Sequence, residues 1–119
     1  MHAPVFIGVL RLQIVIRGAR SKKDLRRPTV SLRDRLSSRF GLAVHQVSAA
    51  ERPARSVLVG VTVGNDAREL RSALDKAARY CVDDPVVPVG EVVVDVFRWD
   101  NEGMMTPGWR PDVHWSDDE

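Results

Sequence analysis

Three observations predict an α+β fold. Phe6 to Arg17 and Arg55 to Gly64 alternate with a period of two, each is followed by a stretch of helical periodicity, and Glu91 to Trp99 alternates again. With a short strand after the first helix, the order becomes βαββαβ. Each helix is long enough to cross over between parallel strands, and the short middle connection suits antiparallel neighbours. That combination describes the ferredoxin-like sandwich, a four-stranded antiparallel sheet with two helices on one face. At 119 residues the chain supports one such domain and no second one.

The first strand places Leu10, Leu12, Ile14 and Ile16 on one face and Val9, Arg11, Gln13 and Val15 on the other. Ser21 is the expected N-cap of the first helix, with Asp24 as capping-box partner. Leu25, Leu32, Leu36 and Phe40 then recur at helical spacing up to Gly41, the expected C′ residue. Pro28 lies within this span, so the helix either kinks there or begins there after a short turn. Leu42, Val44 and Val47 mark a second strand, and the lapse in alternation near His45 and Gln46 calls for a bulge. After the polar segment AAERPA, the stretch RSVLVGVTVG sets Val57, Val59, Val61 and Val63 against Ser56, Leu58, Gly60 and Thr62. Asp66 and Glu69 form a capping box into the second helix, whose stripe is Ala67, Leu70, Leu74, Ala77, Ala78 and Cys81. Asp83, Asp84 and Pro85 end it. The expected core is Leu10, Leu12, Ile14, Leu32, Leu36, Val57, Val59, Val61, Leu70, Leu74, Val94 and Val96.

Charge is segregated along the chain. Met1 to Phe40 holds ten basic residues against two acidic ones, while Asp83 to Glu119 holds two arginines against ten acids, so the formal net charge of +2 hides a dipolar layout. Seven of the basic residues fall between Lys22 and Arg39, and such density on one element points to a polyanion such as RNA or to an acidic protein face. At 100° per residue Lys22, Arg26 and Arg33 lie within about 40° of one another, beside the apolar stripe. A hydrophobic content of 44% argues against disorder of the whole chain, and no apolar run approaches the roughly 20 residues of a membrane helix. The N-terminus lacks the pattern of a secretory signal, and Cys81 is alone. A cytoplasmic location without a membrane partner is the expectation.

Ser21, Lys23, Asp24, Arg26 and Arg27, followed by Ser31, Leu32, Arg33, Asp34, Arg35, Leu36, Arg39 and Phe40, resemble the helix pattern S-L-K-E-K-R-R-x-x-x-S-L-K-D-R-L-x-x-R-F of the small bacterial YlxP-like proteins. The strand RSVLVGVTV with Asn65 and Asp66 fits the same family, and the similarity spans about residues 5–99. Departures are Arg20 in place of His, Lys22 of Leu, Leu25 of Lys and Pro28 of an aliphatic residue. The resemblance implies a ferredoxin-like, non-enzymatic protein of unknown function, often encoded near translation and ribosome-maturation factors.

Lys22, Lys23, Arg26, Arg27 and Arg33 are therefore the candidate nucleic-acid-binding residues, the guanidinium groups among them suited to bidentate phosphate contacts; the alternative is a solvated helix that keeps the domain soluble. Base stacking of the RNA-recognition-motif type is not expected, because the central strands would present Val9, Arg11, Gln13, Leu58, Gly60 and Thr62 and no aromatic residue. The same face, apolar at Val9, Val15 and Leu58, suits a homodimer. His2, His45 and His114 are too dispersed for a metal site, and Cys81 sits on an apolar stripe. Gly60 and Gly64 belong to no phosphate loop. Neither catalysis nor a cofactor is expected. The leading expectation is association with structured RNA or the ribosome through the first helix. The alternative is a homo-oligomeric protein-interaction or small-ligand regulatory module of ACT-like architecture.

Residues 1–99 form the expected domain and 100–119 an acidic tail, either a solubilising appendage or a screen for the basic helix. Truncation after Trp99 should leave the domain folded. If the tail screens the helix, truncation also raises affinity for RNA, most at low salt, as a binding series against ionic strength would read.

Overall fold

The computed structural model describes residues 3–15, 21–48 and 55–99. Four strands and three helices follow in the order β1 (Val5–Val15), α1 (Ser21–Asp24), α2 (Arg26–Phe40), β2 (Ala43–Ser48), β3 (Arg55–Gly64), α3 (Ala67–Val82) and β4 (Val89–Trp99). All strand pairs are antiparallel in the spatial order β2-β3-β1-β4, which is the expected ferredoxin-like sheet. Ile16, Arg17, the AAERPA segment and the tail 100–119 lie outside the described residues.

The first helix is divided. Pro28 has no N–H to donate to the carbonyl of Asp24, and its ring would collide with that carbonyl, so α1 stops after one turn. A new helix starts at Arg26, with the Thr29 N–H donating to the Leu25 carbonyl at 2.9 Å and Pro28 in the first turn, where helix N–H groups lack partners anyway. Ser21 is thus the first residue of a short separate turn rather than the cap of a long helix. Gly41, in the left-handed region at φ 66°, closes α2 as its spacing implied. At α3 the Asp66 carboxylate accepts from the N–H groups of Arg68 and Glu69 at 3.0 and 3.1 Å.

Both long helices cover one face of the sheet, α3 across β1 and β4 and α2 beside it toward β2. Leu10, Leu12 and Ile14 of β1 point into this layer with Leu58 of β3, meeting Leu32 and Leu36 of α2 and Leu70, Leu74, Ala77 and Cys81 of α3. Burial pushes the Cys81 thiol up to about 12, with the Asp84 charge adding to it.

Three valines depart from the expected core. Leu12 pairs with Leu58, so the even residues of β3 share the helix side, and Val57, Val59 and Val61 lie on the opposite face. The helix side has little room: a Cβ at Gly60 would come within 3.1 Å of Leu42 Cδ1, and one at Gly8 within 2.5 Å of Leu74 Cδ1. Leu58, Gly60 and Thr62 accordingly do not form the open face. No bulge interrupts β2, which pairs in continuous register from Ala43 to Ser48; Gln46, exposed on the helix side of the sheet, donates to Ser56 Oγ at 2.7 Å. The irregularity lies instead between Leu12 and Ile14, where β1 meets β4.

Gly8→Ala should cost about 1–3 kcal/mol, because its methyl must displace the buried Leu74. Gly64→Ala, whose added methyl meets Leu70 at an ordinary 3.6 Å, should stay within about 0.5 kcal/mol of the parent in chemical denaturation.

Candidate nucleic-acid interface

The break at Leu25 divides the five residues singled out from sequence between two helices, α1 and α2. Arg26 and Arg33, seven residues apart on α2, fall on the same flank, and Arg27 projects about 100° away toward solvent. Lys23 belongs to α1, across the break at Leu25, so the angular relation expected of Lys22 with Arg26 and Arg33 does not carry over; the Lys22 side chain lies outside the described residues. Lys23, Arg26 and Arg27 are exposed, and Arg33 reaches the Asp34 carboxylate at 3.4 Å in a pair open to water.

Two further arginines of α2 face α3 instead. Arg35 donates from Nη1 to the Tyr80 hydroxyl at 2.7 Å and from Nη2 to Asp84 Oδ2 at 3.1 Å, while its Nε reaches the Ser31 carbonyl at 3.2 Å. Arg39 lies over the Tyr80 ring, 5.4 Å from its centroid, and Phe40 meets that ring edge-on at 5.5 Å. The Asp84 carboxylate, only 3% exposed, also accepts from the N–H groups of Val86 and Val87 at 2.9 and 2.8 Å. Its burial alone would raise the carboxyl, but the Val87 and Val86 N–H groups and the Arg35 guanidinium outweigh that and hold it below the usual carboxylate range.

This junction sets α2 and α3 side by side and joins their charges. Sequence reasoning confined to the first helix missed Arg68, Arg71, Lys76 and Arg79, all exposed on α3. Their signal was present: each lies off the stripe of Leu70, Leu74, Ala77 and Cys81. Residues 21–40 and 67–82 together carry eleven basic side chains against four acidic ones, whereas the four strands carry three against two. Between the helices Arg39, Arg68 and Lys76 line a shallow cleft of about 490 Å³ together with Phe40, Ala73 and Glu69. Guanidinium groups fixed on a rigid helical layer can hold successive phosphates by bidentate hydrogen bonds.

The other face of the sheet offers no base-stacking platform in its centre. Its central strands present Ile7, Val9, Arg11, Gln13 and Val15 beside the four valines of β3; the aromatic residues Phe97 and Trp99 lie on the edge strand β4, level with Ile7 and Val5. His45 is exposed on this face, on β2. Among the described residues no three His, Cys, Asp or Glu side chains come together as a metal site.

Asp84→Asn should lower stability by about 2 kcal/mol at neutral pH, since it removes the charge from a buried acceptor of three hydrogen bonds. The folded-state pKa of Asp84 lies below the unfolded value of about 3.9, so its contribution is complete above that value and fades as pH falls through the folded one. Denaturation curves from pH 7 to pH 2 should therefore show the gap between parent and variant closing on acidification.

A search of curated proteins gave no match. The model of one family matches residues 7–93, from β1 into β4, and so takes in both long helices and the Asp84 junction. On that match the chain belongs to the family described as Protein of unknown function (DUF503).

Proposed function

We propose that this protein is a non-enzymatic, cytoplasmic RNA-binding domain that docks on structured RNA, in the ribosome or its precursors, through the outer surface of α2 and α3. The observation that carries this reading is the separation of charge between layers: the helices hold an excess of seven positive charges, and the sheet is close to neutral. A protein partner would call for a larger apolar centre than Phe40 and Ala73 provide in the cleft between the helices. A phosphate backbone calls only for cations at repeated spacing on a rigid support. The YlxP-like helix motif supports the choice of RNA, because such proteins are often encoded beside translation and ribosome-maturation factors. Among the described residues no helix is long and apolar enough to cross a membrane.

Arg26→Glu with Arg33→Glu should weaken binding to a structured RNA by at least tenfold in filter binding, and Arg68→Glu with Lys76→Glu should do the same from the other helix. Each lost phosphate contact should lower the steepness of the salt dependence by about 0.7–0.9. Thermal midpoints should barely move, because exposed charges contribute little to folding. Undiminished binding by both folded double variants, or a failure to co-sediment with ribosomal subunits at any salt concentration, would sink the reading.

A further inference from the structure

The open face of the sheet is apolar over most of its width. The register sets Ile7 beside Val63 and Phe97, Val9 beside Val61 and Asp95, and Arg11 beside Val59 and Val93, so aliphatic side chains run in rows across adjacent strands. In the single subunit Val61 is 37% exposed and Val63 65% exposed. A four-stranded patch of about ten residues per strand has a footprint on the order of 600 Å² before side-chain relief is counted. That footprint, which takes in Arg11, Gln13, His45 and Asp95 as well as the aliphatic rows, lies at the upper end of the patches of ordinary monomers and approaches the ~800 Å² that each partner contributes to a standard interface.

We propose that this face is covered by the same face of a second copy of the chain, two sheets stacking into a sandwich with the helices outside. The charge layout selects that occupant. The face carries both signs in small number, Arg11 paired with Glu91 at 3.4 Å and Asp95 one row away, so a copy of itself meets no net repulsion. Rows of β-branched side chains interdigitate well when sheets pack nearly aligned at ~10 Å. Residues 100–119 of the same chain fit poorly, since their six acids against one arginine would be pressed onto valines. Nucleic acid has no cationic field to meet there. The proposal does not rest on the RNA reading.

Sedimentation of the full, nuclease-treated chain from about 1 to 300 μM tests it. The expected result is a dimer whose dissociation constant rises at least 100-fold in Val61→Asp and in Val63→Asp. Both sites are already open to solvent in the subunit, so the variants should keep the parental far-ultraviolet circular dichroism. A monomer at every concentration would overturn the proposal, whatever else covers the face. So would folded variants that dimerise as tightly as the parent, because the contact would then lie elsewhere.

Discussion

Asp84 ties the turn after α3 to α2 and fixes the arginine that also reaches Tyr80. Its carboxylate caps the turn after α3 through two N–H groups and binds Arg35 of α2, which in turn holds Tyr80. α2 sits at the margin of the helical layer, on β2 and α3, and a helix held there by leucines alone could slide or rotate. A charge-assisted hydrogen bond has a fixed direction, so it sets the orientation as well as the distance. The spacing of cations across the two helices follows from that orientation.

The architecture was legible because the long strands and α3 carried their own periodicity: Asp66 and Gly41 act as their sequence positions imply, and the α3 stripe is the buried face. What could not be read was the side to which β3 turns. Its alternation is unambiguous, but valines occupy one face and Ser56, Leu58, Gly60 and Thr62 the other, and simple hydrophobicity favours the valines as core. The decisive factor is clearance. Leu42 lies close against Gly60, and Leu70 and Leu74 against Gly8, contacts that depend on partners distant in sequence. The candidate site was legible in part. Density of basic residues marked α2, but Arg35 turns inward to a carboxylate 49 positions away and α3 adds four cations of its own. Neither follows from spacing within one helix.

The linear charge dipole and the spatial one are therefore different objects. Part of the acidic half folds back onto the basic half, Asp84 onto Arg35 and Glu91 onto Arg11, and these pairs cancel locally. The cations that remain gather on the helices, and the apolar surplus gathers on the far side of the sheet. The two broad surfaces thus suit contacts of unlike chemistry, and either could be occupied without disturbing the other.

The position of Cys81 gives this molecule a clock. Its thiol is fully buried between α3 and the sheet and held protonated far above neutral pH, so a thiol reagent in water has nothing to attack while the helical layer is seated. Reaction requires α3 to lift. The rate of alkylation in native buffer then measures how often the layer opens, with no added label, and it reports on the same helix that carries half of the candidate interface.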